Sequence, residues 1–352
     1  MLWTSAKKIF VQSWNFEDTA VVFFSLSLAL AVLFVDLARR WPALALEWQG
    51  VERAAARYGS PSGLAARAKA FTVFIMAAGG VEHALSHAKT ATVALHCAGG
   101  RASEWAAHYF KAEYSQIFAD ARFSAWAGVL ATVVGFFATH VRSYVDAFIV
   151  VVSMSLAARF RLLTRRLRCG LDEMRSEDDW RQMREDYNSL SWLCLSVDEA
   201  LSKLVLLSFT SNVYFVCLQL YHSIRPVKNA AEIVYFYYSV GFLLLRIVLV
   251  AINAAAINDE SKEPKTIIFS VPSRSFSSEV QRFLLQVTFD EVVLTGMKFF
   301  SVTRSLILTI AGTIVTYEIF LIQFHYTSTD DLLRVNSSNA TTCGLQTFSH
   351  SY

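Results

Sequence analysis

The sequence predicts an all-α polytopic membrane helix bundle, and three observations carry that reading. Apolar residues make up 54% of the chain against 17% charged, and the mean hydropathy is +0.38, too apolar for a soluble protein of this length. The apolar residues gather in runs of about twenty, long enough to cross a ~30 Å hydrocarbon core as helices. Basic residues concentrate in alternate segments between those runs, the pattern that sets membrane orientation.

The first run, residues 19–37, is almost wholly apolar, and Asp36, Arg39, Arg40, Trp41 and Pro42 form a basic, aromatic border with a proline stop. No cleavable leader is expected: Lys7 and Lys8 precede a run as long as a span, which reads as a signal-anchor helix. A second span covers residues 70–85, after Arg67 and Lys69, and closes at Glu82 and His83. Residues 123–139 and 147–158 are apolar around a polar waist at 140–146. Neither part is long enough to cross alone and the waist holds no turn residues, so one long helix is expected, running on past the membrane. Further spans fall at 201–220, 232–257 and 306–324, six in all.

Charge orients them. Segments 38–69, 159–198 and 258–304 hold most of the basic residues, including Arg159, Arg161, Arg165, Arg166 and Arg168, and are expected to be cytoplasmic. The tail after Phe324 then lies outside, where sequons at Asn336 and Asn339 can be glycosylated. Six spans also place Met1 outside, against the preference of Lys7 and Lys8, so the sequence predicts an additional, missing span. Leu163, Leu167, Leu190 and Leu193, and separately Val280, Phe283, Leu284, Val287 and Val292, recur at near-helical spacing and predict a helical bundle at the cytoplasmic side.

Cys97, Cys169, Cys194, Cys217 and Cys343 show no metal-ligand spacing, and only a Cys97–Cys343 bridge fits the expected topology. A net charge of +3 gives no footprint for nucleic acid. No nucleophile motif, metal cluster or phosphate loop marks an enzyme, and no cofactor is expected. In the last span, Thr316, Ile319, Phe320 and Gln323 fall on one stripe at about 100° per residue. That polar, apolar, polar order suits either a narrow water path or a packing face whose polar groups bond to neighbouring helices. Glu318 lies about 160° from Gln323, with Arg246 of the preceding span as a candidate partner.

The terminal Thr316-Tyr317, five residues, Gln323-Phe324 pattern resembles the signature of insect gustatory receptors. Residues 294–304 and 311–318 are similar to the sugar-receptor branch, as are Leu37 to Pro42, Glu82 to Ser86, Arg159 to Arg161, Ser208-Phe209, Asn212 to Phe215 and Val271 to Ser273. The resemblance implies a seven-span subunit of a homo- or heterotetrameric, ligand-gated, non-selective cation channel in the plasma membrane, with cytoplasmic N-terminus and external C-terminus. Lipid, a small sugar and related receptors would be its partners. It implies an outer ligand-binding bundle in residues 1–158, cytoplasmic segments at 159–200 and 258–305, two further spans at 201–257, a pore helix at 306–325 and an external tail at 326–352. The pore residues would be Thr316, Ile319, Phe320, Gln323 and Phe324. A sugar needs polar acceptors beside aromatic platforms, and the outer span ends supply Asp18, Glu82, His83, Trp126, Asn212, Tyr214, Tyr235 and Tyr238. Glu82 with His83 is the favoured pair. A non-conducting modifier subunit, a heptahelical receptor coupled to G proteins and a transporter are the alternatives.

Overall fold

The computed structural model describes residues 16–98, 102–118, 124–170, 176–223 and 230–332. Among these, the helices are α1 (Phe16–Ala55), α2 (Leu64–Cys97), α3 (Ala102–Glu113), α4 (Ser115–Phe118), α5 (Ala125–Gly170), α6 (Glu177–Ser223), α7 (Ala230–Lys262), α8 (Pro264–Phe269), α9 (Ser278–Phe289) and α10 (Arg304–Leu332). Helices α1, α2, α5, α6, α7 and α10 are long and apolar enough to cross a membrane, which makes this a multi-pass membrane protein.

α5 settles the polar waist: its 46 residues are one uninterrupted helix, about 69 Å long at 1.5 Å per residue. It occupies the centre of the bundle against α1, α2, α6 and α7. Arg142, Ser143 and Asp146 of the waist are buried there, so polarity at this point serves internal contacts and does not end the helix. The proline border in α1 departs from expectation, since the helix continues through Pro42 to Ala55. Packing holds it: Trp41 meets Phe148 edge-on at 5.3 Å, and Leu44 is buried in the core. α2 likewise outruns the predicted span, because Ser86, Lys89, Thr90 and Ala94 beyond it are buried.

One apolar core runs the length of the bundle, from Phe23 and Leu30 through Ile149, Leu156 and Val197 to Ile257, Phe283 and Val302. At its basic end the arginines of each helix pair with carboxylates of another: Arg161 with Glu260 at 2.5 Å, Arg168 with Glu263 at 2.8 Å and Arg184 with Glu279 at 2.8 Å. Arg159 bonds Glu52, and Asp186 receives both Arg57 and Tyr58. The predicted stripe on α9 is inside, with Val280, Phe283 and Val287 fully buried. Ser277 caps this helix by accepting from the Val280 amide at 3.5 Å.

After α9 the helical expectation fails. Residues 290–303 are extended and fold into a tight hairpin bridged at Thr295 and Ser301. Asp198 of α6 holds the hairpin, accepting from the Thr295 amide at 2.6 Å and from Lys298 Nζ at 2.5 Å. At the tip Met297 and Lys298 both have left-handed backbone, φ 50° and 63°, a conformation that costs side-chain-bearing residues about 1–2 kcal/mol each.

Candidate functional site: a buried polar cluster and an uncovered last helix

Two features stand apart from the ordinary core. The first is a polar cluster inside the membrane-spanning bundle, where charged groups are expensive and retained for a reason. Asp146 accepts from Ser208 at 2.5 Å and Asn212 at 3.0 Å, and takes both Nε and Nη2 of Arg246 on one oxygen at 2.8 and 2.6 Å. Arg246 is therefore committed to Asp146 and not to Glu318, whose place is on the covered face of α10.

Along the cluster, Gln219 donates to Ser239 at 3.1 Å, and Ser239 donates to Glu82 at 2.6 Å. Lys89 lies over the Tyr235 ring at 4.4 Å, and Tyr238 donates to the Ala78 carbonyl at 2.9 Å. Arg142 stacks its guanidinium on Phe215 at 4.0 Å. Its Nε and Nη2, with Asn212 Oδ1 and Gln219 Oε1, are buried polar atoms that make no hydrogen bond among the described residues. Such atoms are costly unless a ligand or water completes them. Donors on an arginine, acceptors on two amides and an aromatic face together match what a polyhydroxylated molecule offers.

The predicted binding residues thus divide. Glu82, Asn212 and Tyr235 belong to the cluster, with Tyr238 at its α2 side. Tyr214 stands beside Phe215, ring centroids 5.1 Å apart. Glu82 and His83 do not act as a pair: consecutive residues on a helix point about 100° apart, and His83 turns to His87, Nε2 to Nε2, at 3.0 Å. Trp126, 84% exposed at the start of α5, is on the bundle surface. Asp18 lies in α1, but its side chain is outside the described residues, as are Asn336, Asn339, Cys343 and the Phe324 side chain. Arg142, Gln219 and Ser239 went unselected in the sequence. Their signal was a polar residue inside an apolar run, the criterion that selected Thr316.

The second feature is α10. The rest of the chain leaves almost all of its apolar stretch uncovered, only 6% of it being buried. What contact there is falls on one face, where Leu306, Ile307, Ile310 and Ile314 meet the core and Leu321 is buried. The opposite side carries Thr309, Thr313, Thr316, Phe320 and Gln323 at alternating spacings of four and three, all exposed. These five lie within a stripe about 80° wide, centred roughly 120° from the covered face. Ile319 is exposed at its margin. Thr309, Thr313 and Thr316 each donate to the carbonyl four residues back, at 3.1, 2.9 and 2.8 Å, so their oxygen lone pairs remain directed outward. Thr309 and Thr313 extend the predicted stripe, and the four-three spacing was the signal for them.

Comparisons with known proteins agree with this architecture. A family model described as Trehalose receptor matches residues 2–332. In Drosophila melanogaster, the gustatory receptor for sugar taste 64f is 34% identical over 310 residues, covering 87% of this chain and 65% of that protein. Gustatory receptor 5a for trehalose is 36% identical over 295 residues, 83% of this chain and 66% of its own length. The chain thus spans about two thirds of these relatives' length. Among solved structures, the insect olfactory receptor OR5 from Machilis hrabei superposes with a TM-score of 0.66 at 14% identity, over 89% of this chain and 83% of that one. With eugenol bound, the same receptor gives a TM-score of 0.61, over 86% and 79%. The chain belongs to the gustatory receptor family, within its trehalose and sugar-taste group.

Proposed function

We propose that this chain is a sugar-sensing receptor subunit that forms a ligand-gated, weakly selective cation channel, with α10 from four copies lining one central path. The observation that carries the reading is the outward hydroxyl stripe of α10. Thr309, Thr313, Thr316 and Gln323 stand exposed on the side of α10 away from its own bundle, and a ring of such polar faces is suited to line a water path. Threonine oxygens and the Gln323 amide replace part of a cation's hydration without a fixed charge, which gives weak selectivity. Phe320, on the same stripe, closes the path by dewetting, and Phe324 stands one residue beyond Gln323.

The ligand would be a sugar held in the α2, α5, α6 and α7 cluster, its hydroxyls completing Arg142, Asn212 and Gln219 beside Phe215. Charge bias supports an external Gln323 end in the plasma membrane. Sugar binding opens the channel only if the open state holds the sugar better. Recordings from cells expressing the chain, with cysteine placed at Thr313, Thr316 or Gln323, test this. Sugar-evoked cation current that a water-soluble thiol reagent blocks at these positions, and not at the covered Ile310 or Ile314, is expected. Equal block on both faces would overturn the pore assignment.

A further inference from the structure

We propose a divalent transition-metal site of the zinc type on the α2 face toward α3, at His83 and His87. The two imidazoles are four residues apart on one helix, the spacing that lets a helical pair share a metal ion. Their Nε2 atoms face each other at 3.0 Å. Two nitrogen ligands at 2.0–2.1 Å on a tetrahedral ion stand about 3.3 Å apart, so the pair needs only a few tenths of an ångström of opening to admit one.

What surrounds His87 prepares it for that role. Its Nδ1 lies 3.3 Å from the Glu113 carboxylate and 2.7 Å from the Tyr109 hydroxyl, both on α3 or its end. Glu113 has a side chain 3% exposed. With the buried Glu113 carboxylate as acceptor at Nδ1, Nε2 would present its lone pair toward His83, the carboxylate, histidine, metal arrangement that orients ligands in metal sites. Both histidines are partly exposed, so an ion has access. Among the described residues no cluster of three or more His, Cys, Asp or Glu is arranged around a metal position; the site is two imidazoles with water in the remaining positions. Occupancy would clip two turns of α2 together one residue from Glu82, beside the polar cluster and independent of what that cluster binds.

The test is Zn²⁺ titration of the purified full chain in phosphatidylcholine nanodiscs at pH 7.5, by calorimetry, with the visible absorption of added Co²⁺ as the coordination signature. One ion per chain is expected, with at least tenfold weaker binding in His83→Gln and in His87→Gln, and about tenfold weaker binding in Glu113→Gln. A second arm needs no substitution: Zn²⁺ should protect His83 and His87 of the unaltered chain from diethyl pyrocarbonate, read by mass spectrometry. Absence of stoichiometric binding, unchanged affinity in the folded H83Q/H87Q double variant, or labelling indifferent to Zn²⁺ would each reduce the pair to an ordinary imidazole hydrogen bond and overturn the proposal.

Discussion

Arg246 on α7 and Asp146 on α5 form a salt bridge in the apolar centre of the bundle, with guanidinium Nε and Nη2 at 2.8 and 2.6 Å from one carboxylate oxygen. Both side chains are nearly inaccessible, 3% and 4% exposed. Removing one partner strands the other as a buried charge. Asp146→Ala is expected to cost about 3–5 kcal/mol, and the double change Asp146→Leu with Arg246→Leu distinctly less. Thermal unfolding of purified variants in detergent checks this. A double variant as unstable as the single would remove the charge-stranding explanation.

The hairpin tip gives a prediction with two signs. A Cβ on Gly296 would lie 2.4 Å from the Phe300 ring, so Gly296→Ala is expected to destabilise by about 1–3 kcal/mol through overpacking. Met297 has a φ of 50°, and Met297→Gly should stabilise by about 1 kcal/mol because glycine adopts that conformation freely. Melting temperatures moving in opposite directions are the expected result. If both variants melted lower, the left-handed strain at Met297 would not be limiting.

The docking of α9 should depend on pH. The hydrogen bond from Arg184, with Arg282 beside it, holds the Glu279 carboxyl below its usual range. A carboxyl with its folded pKa depressed contributes stability that is present above the unfolded value and lost as pH falls through the folded one. Amide protection factors across α9 should therefore drop as pH is lowered below the ordinary glutamate range, and Glu279→Gln should flatten that dependence. An unchanged profile in Glu279→Gln would assign the acid sensitivity elsewhere.

Within the proposed pore, a charge at Gln323 should act on ions directly. Gln323→Glu is expected to raise monovalent cation permeability relative to anions and to increase block by divalent cations, and Gln323→Arg to suppress cation current, because four like charges meet around one axis. Reversal potentials in asymmetric salt measure both. Identical selectivity in the two variants would move Gln323 out of the ion path.

At the polar cluster, Arg142→Ala should weaken the sugar response while leaving the amount of receptor at the surface within about twofold, since it removes polar atoms that make no internal hydrogen bond. Gln219→Leu should weaken the response and also lower stability, because it removes the bond to Ser239. Ser239→Ala should resemble Gln219→Leu. It breaks the Gln219, Ser239, Glu82 chain and is expected to lower stability by about 1 kcal/mol as well. Dose-response curves alongside surface labelling separate the two effects. A sugar response unaltered in both Arg142→Ala and Gln219→Leu would exclude this cluster as the sugar site.

Much of the architecture was legible along the chain because lipid imposes simple requirements: length, apolarity and continuous helical hydrogen bonding. That is why the waist of α5 read correctly as helix. Pro42 misled, since a proline ends a helix only where nothing compensates, and here Trp41 and Leu44 pack on either side of it. The hairpin was hidden for another reason. Met297 and Lys298 are poor turn formers, and the Asp198 carboxylate that captures Thr295 lies 97 residues away. Adjacent Glu82 and His83 looked like a pair until helical geometry sent them to different neighbours, Ser239 and His87.

By itself, the sequence determined a six-helix membrane bundle and its family, along with the stripe from Thr316 to Gln323. Hydropathy and motif spacing are properties of the chain read in order. Only the tertiary structure decided which face of α10 is covered, that Arg246 answers Asp146 and not Glu318, and that Arg142, Asn212 and Gln219 retain unspent polar atoms in a common interior. Those outcomes depend on which helices become neighbours, and a buried polar group takes its role from the partner that packing brings within about 3 Å.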